Sequence, residues 1–159
     1  MIRLCFVCLG NICRSPIAKA VMREQVQNAA LGNQVEVDAA GTSSEHLGSP
    51  PDWRARSAGV RHGFMVDGRA RQFTKADWDR FDYILAMDST NLRHLTRQAP
   101  SKHALGKLHL LRSFDASSLP GASVPDPYYG GDAGFDEVVS ICERACSDLL
   151  QHLRKVHRL

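Results

Sequence analysis

Ile2-Arg3-Leu4-Cys5-Phe6-Val7-Cys8-Leu9-Gly10-Asn11-Ile12-Cys13-Arg14-Ser15-Pro16 opens the chain, and its reading decides the fold. Ile2 to Val7 is apolar and rich in residues that favour a pleated backbone, which reads as a strand buried in a parallel sheet. Ser15 to about Ala30 carries helical periodicity, with Ile17, Val21 and Val26 near one face and Pro16 tolerated in the first turn. Between the two lies a tight loop with a thiol, Cys8, where it starts and a guanidinium, Arg14, where it ends.

Such a loop turns the backbone N–H groups of Leu9, Gly10, Asn11, Ile12 and Cys13 into one hollow, to which a helix N-terminus adds partial positive charge. A phosphate-sized dianion fits there, with Arg14 clamping two of its oxygens in a bidentate fork. The same field favours a thiolate at Cys8, because N–H donors, a helix N-terminus and an arginine lower a cysteine pKa to roughly 3.5–7.5. Cys8 is then poised beneath the phosphorus for in-line attack. Gly10 lets the backbone turn or approach closely, and Asn11 tolerates a left-handed conformation while tying the loop with its side chain. Ser15 is placed both to cap the helix and to hydrogen-bond the sulfur of Cys8. A Cys-x5-Arg spacing is weak by itself; the strand before it, the Gly-Asn within it and the Arg-Ser-Pro after it make it specific.

Further along, Val35 to Gly41 reads as a second strand, Tyr83 to Met87 as a third and Lys107 to Leu111 as a fourth. Helices are predicted with Asp52 as N-cap through about His62, from Ser89 to about Arg97, and from Phe135 to about Val156. Thr74-Lys75-Ala76-Asp77 resembles a capping box that starts a short helix. Thr42–Pro51 and Asp115–Gly134 are broken by Gly, Pro and Ser and read as loops. Strands alternating with helices place the chain in the α/β class: one domain over residues 1–159, a doubly wound four-stranded parallel sheet with helices on both faces. Ligands of such sheets sit at the carboxyl ends of the strands, where Cys8, Gly41-Thr42 and Asp88 all fall.

The 159 residues, 43% of them hydrophobic, are enough for a sizeable core, and the net charge of +3 suits an anionic substrate without forming a nucleic-acid footprint. Five cysteines, an odd number, without a signal peptide or membrane span, point to reduced thiols and a cytoplasmic setting. Cys5 and Cys8 form a C-x2-C, but no second ligand pair follows at zinc spacing, so no metal is expected. Cys142 and Cys146, one turn apart on the last helix, read as core residues. The seven histidines, His46 among them, show no triad or metal spacing and read as surface or core-edge residues.

Attack by Cys8 on a phosphate monoester gives a phosphocysteine intermediate and expels an alkoxide or phenoxide that needs a proton. Asp126 is the candidate donor, on a Pro-rich loop beside Tyr128 and Tyr129, with Pro127 stiffening its position. It would then serve as base toward water in the second step. Asp88 and Asn91 are read as capping the helix after the third strand and supporting the loop, not as acting in the chemistry.

The run Cys8 to Pro16 together with Asp126-Pro127-Tyr128-Tyr129-Gly130 resembles the low-molecular-weight protein tyrosine phosphatase family. The likeness extends over Pro50-Pro51-Asp52-Trp53-Arg54, Ala70-Arg71-Gln72 and Phe81 to Asp88, nearly the whole chain. It implies a cofactor-independent hydrolase for phosphotyrosine in proteins and for small aryl phosphates, with phosphate or vanadate as active-site ligands. Asp126 is implied as acid and base, Tyr128 and Tyr129 as walls of an aromatic-substrate cleft. Cys13 matches a neighbouring cysteine that forms a reversible, protective disulfide with the nucleophile. The expected state is mostly monomeric, with weak self-association through exposed aromatics and no nucleic-acid or membrane partner.

Two positions depart from the family pattern. Glu45 stands where an aromatic often lines the cleft, an acid that would repel acidic phosphopeptides or favour basic ones. Gly68 stands where many members carry a histidine bracing the loop asparagine, which predicts a looser Asn11. The rival on the same scaffold, a thiol-dependent arsenate reductase, needs further redox cysteines in mid-chain, and none lies between Cys13 and Cys142. A catalytically silent phosphotyrosine-binding module is disfavoured because thiol, clamp and acid are all present.

Overall fold

A computed structural model describes all residues, Met1–Leu159. Strand β1 (Ile2–Cys8) pairs in parallel with β2 (Val35–Gly41) on one side and β3 (Tyr83–Ala86) on the other, and β3 pairs in parallel with β4 (Leu108–Leu110). The order is therefore β2-β1-β3-β4. Both central strands are covered on both faces, which is why β1 is an unbroken apolar run apart from Arg3. Side chains still alternate. Leu4, Phe6 and Cys8 join the larger core, whereas Cys5 and Val7 join the smaller one.

The larger core packs helix α1 (Arg14–Asn28), α2 (Trp53–Arg61) and the long α6 (Asp132–His157) against one face, through Ile17, Val21, Val138, Cys142, Cys146 and Leu149 among others. The smaller core puts Trp78 and Phe81, on or beside α3 (Asp77–Arg80), with Leu95 of α4 (Ser89–Gln98) and Ala104 of α5 (Lys102–Leu105) on the other face. Helices on both faces of a parallel four-stranded sheet are what the alternating pattern predicts. The strand order reverses between β1 and β3, which opens a crevice at their carboxyl ends, directly above Cys8.

Several local expectations need correction. Helix α1 begins at Arg14, so Ser15 lies inside its first turn and caps nothing; Cys13 is the N-cap and makes no side-chain cap bond. Thr74 does pair with Asp77, whose carboxylate accepts from the Thr74 backbone N–H at 2.7 Å, but this closes a turn ahead of α3. The last helix starts at Asp132, three residues before the first apolar position that marks it in the sequence. Helix α5 and a 3-10 turn at Leu111–Ser113 are too short to leave a periodic signal. Asp52, by contrast, caps α2 as expected, accepting from the Arg54 N–H at 2.9 Å.

Gly41 ends β2 where the phosphate-sized loop comes closest. A Cβ there would lie 2.7 Å from the Leu9 carbonyl oxygen and 3.1 Å from the Asn11 nitrogen, so only a bare backbone fits. The neighbouring N–H groups seal the junction: Thr42 donates to the Cys8 carbonyl at 2.8 Å and Ser43 to that of Leu9 at 2.9 Å.

Candidate active site

The loop from Cys8 to Arg14 has used most of its carbonyls and kept its amides. The carbonyls of Cys8, Leu9, Ile12 and Cys13 accept from Thr42, Ser43, Asp52 and Ile17. None of the seven amides from Leu9 to Ser15 donates to any acceptor in the protein. Backbone N–H groups are obligatory donors, and this many without an acceptor around one thiol defines an anion-binding hollow.

Asn11 is the pin that shapes it. Its φ of 56° is left-handed, as the sequence predicts for an Asn in this position. Its side chain is held at both ends: Oδ1 accepts from the Arg71 backbone N–H at 3.0 Å, and Nδ2 donates to Ser15 Oγ at 2.8 Å. With no side chain at Gly68, the Asn11 carbonyl is held by a backbone donor sixty residues along the chain. Arg71 is fixed in turn by its guanidinium, which binds Asp77 at 3.0 Å and Asp38 at 3.1 Å.

Ser15 Oγ lies 3.0 Å from Cys8 Sγ and 3.3 Å from the Ala40 carbonyl oxygen. Since Oγ already accepts from Asn11, its single O–H can donate to one of these two, and an anionic sulfur would be the stronger acceptor.

Arg14 is 3% exposed, and one edge of its guanidinium is held by the protein. One terminal nitrogen donates to Asp88 Oδ2 at 2.6 Å and to the Val124 carbonyl at 3.0 Å. The other points outward, 3.6 Å from Asp126 Oδ2. Burial alone would weaken its proton affinity, but the Asp88 hydrogen bond and the negative charge of Cys8, Asp88 and Asp126 outweigh it and raise the pKa. Asp88 also caps α4 in a full capping box with Asn91. The capping reading of Asp88 holds, and a second duty, orienting Arg14 across 74 residues of sequence, is added to it.

The two duties of Asp88 separate by mutation. Asp88→Asn keeps an oxygen for the Asn91 N–H but removes the charge facing Arg14, so it is expected to lower kcat/KM on an aryl phosphate on the order of 10–100-fold with little change in Tm. Asp88→Ala is expected to lose both, adding a stability cost of about 2 kcal/mol. Equal rates in the asparagine variant and the parent would dismiss the orienting role.

Cys8, Leu9, Gly10, Ile12, Cys13, Arg14, Asp126, Tyr128 and Tyr129 line one cleft of about 210 Å³, so nine of the sequence-predicted residues are brought together. Asn11 and Ser15 lie behind the loop rather than in the cleft, as supports. Asp126 is positioned by its own turn, accepting from the Tyr128 N–H at 3.0 Å. That turn is anchored to α2 by Arg54, which donates to the Tyr128 carbonyl at 2.9 Å and lies over the Tyr128 ring. Tyr129, 93% exposed, stands edge-on to Tyr128 at the outer lip.

His46 is the residue that sequence reasoning missed. It lines the cleft with Glu45, its ring centroid 6.5 Å from that of Tyr128. Its Cδ2 lies 2.9 Å from where a Cβ on Gly10 would stand, so Gly10 is small to admit His46 and not to supply a positive φ. The aromatic wall has thus moved one residue along from Glu45. A ring adjacent to the departing position was the available signal.

All five cysteines are free thiols. Burial, followed by the negative charge of Asp52, Cys8 and Asp126, pushes Cys13 up to about 12. Burial does the same for Cys142, to about 12. No group of three or more His, Cys, Asp and Glu side chains is arranged to hold a metal, and no helix is long and apolar enough to cross a membrane.

The likeness to known proteins runs along nearly the full length of the chain. The family model for low molecular weight phosphotyrosine protein phosphatases matches residues 3–159. A low molecular weight protein-tyrosine-phosphatase of Streptomyces coelicolor is 46% identical over 154 residues, 96% of this chain and 94% of its own. The low molecular weight phosphotyrosine protein phosphatase of Homo sapiens is 46% identical over 147 residues, 92% of each chain. The crystal structure of a protein tyrosine phosphatase from Entamoeba histolytica superimposes with a TM-score of 0.95 at 41% identity, covering 99% of both chains. The chain belongs to the low molecular weight phosphotyrosine protein phosphatase family.

Proposed function

We propose that this single domain, residues 1–159, hydrolyses phosphotyrosine in proteins, and small aryl phosphates, through a phosphocysteine intermediate on Cys8. The observation that carries the reading is the set of seven amides without a protein acceptor around the Cys8 sulfur, closed by a pre-oriented Arg14. The phosphoryl oxygens take the amide hydrogens and the outward edge of Arg14. Ser15 donates a hydrogen bond to the thiolate, and the sulfur attacks phosphorus in line, forming the S–P bond as the bond to the phenoxide oxygen breaks. Asp126, at the opposite side of the cleft, protonates the departing phenoxide and then draws a proton from the water that breaks the S–P bond. His46, Tyr128 and Tyr129 hold the phenyl ring. Cys13 serves as a resolving thiol: once a peroxide has oxidised Cys8 to a sulfenic acid, Cys13 forms the disulfide with loss of water and shields Cys8 from further oxidation.

No metal or organic cofactor enters these steps. The arsenate-reductase alternative lacks support, since the remaining cysteines, Cys5, Cys142 and Cys146, are buried in the core and not on a surface segment. The reduced thiols and polar surface fit a cytoplasmic enzyme.

The test is selective alkylation. With burial pushing Cys13 and Cys142 up to about 12, those thiols remain protonated from pH 5 to 8, so raising the pH across this range does not create a second reactive sulfur. Iodoacetate at pH 6 is expected to take one equivalent, at Cys8 by mass spectrometry, with loss of aryl phosphate hydrolysis and full protection by orthovanadate. Labelling that starts only in alkaline solution, or that ignores orthovanadate, would overturn the assignment.

A further inference from the structure

One carboxylate at the mouth of the cleft has no partner and no part in the chemistry. Glu45 is exposed, lines the cleft, and forms none of the ion pairs in the molecule. It is nevertheless not adrift. Its turn is tied to the phosphate loop by the Ser43 N–H on the Leu9 carbonyl at 2.9 Å. The other end is tied to the segment through Ala70 by the Gly48 N–H on the Ala70 carbonyl and the Ala70 N–H on that of Ser49, both at 2.8 Å. A bond from the Ser49 N–H to the His46 carbonyl at 2.9 Å closes the turn itself. The backbone that carries Glu45 is therefore fixed relative to Cys8.

The cations nearby are committed elsewhere. Arg14 is nearly buried on Asp88, and Arg54 is held by Asp52 at 3.0 Å and aimed at the Tyr128 carbonyl. Arg69 reaches the same turn from behind, donating to the Gly48 carbonyl at 3.3 Å, and lines a different cavity beside Asn11. Asp126 faces the mouth from the other side, its side chain 43% exposed. Once Arg14 is matched by a bound phosphoryl group and Asp126 holds the proton it is to give, the Glu45 carboxylate is the uncompensated charge on the rim. This is the reverse of the chain as a whole, whose net charge is +3.

A phosphotyrosine reaching into the hollow leaves its neighbours in the peptide lying across this rim, about 3.8 Å of backbone per residue. We propose that Glu45 reads those neighbours and makes phosphotyrosine flanked by Lys or Arg the preferred substrate over phosphotyrosine flanked by Asp or Glu. The proposal rests on the phosphotyrosine reading above and specifies its substrate class. The pair is solvent-exposed, so its strength is modest. Attraction to one flank and repulsion of the other together give a preference on the order of 3–10-fold in kcat/KM at low salt, fading as ionic strength rises.

The experiment uses two phosphotyrosine peptides identical except for flanking Arg or Glu residues, with phosphate release measured at low and high salt. The parent protein is expected to favour the Arg peptide, Glu45→Gln to bring the ratio toward one, Glu45→Lys to invert it and Glu45→Asp to retain it. A ratio near one in the parent, or one that Glu45→Lys leaves unmoved, overturns the role of Glu45 while leaving the phosphatase reading intact. Failure of the parent to cleave either peptide or para-nitrophenyl phosphate overturns both.

Discussion

Cys8→Ser is expected to reduce hydrolysis of para-nitrophenyl phosphate on the order of 10⁴-fold or more, while orthovanadate still binds. The two outcomes separate because they draw on different atoms. Turnover needs a sulfur that can be an anion at neutral pH and can leave phosphorus in the second step, and a serine hydroxyl offers neither. Binding needs the amides from Leu9 to Ser15 and the Arg14 fork, and the substitution touches none of them. The loop shape is set by Asn11 and by the bonds from Thr42 and Ser43, all independent of the sulfur. Isothermal titration with vanadate alongside steady-state rates measures both. Residual turnover near the parent level would remove Cys8 from the mechanism, and loss of vanadate binding would show that the sulfur organises the loop.

Asp126→Ala is expected to slow phosphoryl transfer by about 10²–10⁴-fold, and the loss should grow with the pKa of the leaving group. A nitrophenolate departs readily without a proton, whereas the phenoxide of tyrosine does not. Asp126 meets the geometric requirement because the Tyr128 N–H fixes one carboxylate oxygen at 3.0 Å and leaves the other toward Arg14 and the cleft. The measurement is a series of aryl phosphates of graded leaving-group pKa. A steeper dependence of log rate on pKa in the variant supports the assignment, and parallel lines for variant and parent reject it. A retained Km with reduced kcat would further place the loss in the chemical step.

What the sequence shows about this molecule, and what it conceals, divides by distance along the chain. The strand, loop and helix around Cys8 are contiguous, so apolar runs, a left-handed Asn and a glycine describe them directly. The parallel sheet follows from the repetition of strand and helix, and Asp52 is found because a cap acts on its own helix. The partners of Arg14 and Asn11 lie 74 and 60 residues away, and no local pattern announces them. Asp88 is legible as a cap and silent as an orienting group. The bracing of Asn11 by the Arg71 amide is hidden more deeply, since a backbone N–H carries no side-chain signature and its donor could have been any residue. His46 was obscured because its value comes from facing Gly10 and Tyr128, two segments brought to it only by folding. Ser15 was placed correctly against the sulfur but wrongly as a cap, because the helix begins one residue earlier and its hydroxyl turns back toward β1 and β2.

The row of amides at the loop also couples the fold to its solution. In solution they are hydrated donors crowded by helix α1, and any tetrahedral oxyanion that settles on them binds the native chain and not the unfolded one. Such a ligand at a hundred times its dissociation constant adds about 2.7 kcal/mol to the folding free energy. Inorganic phosphate, the product of each turnover, is therefore expected to slow the enzyme and to raise its melting temperature together. Melting temperatures of this protein carry meaning only alongside the anion content of the buffer in which they were taken.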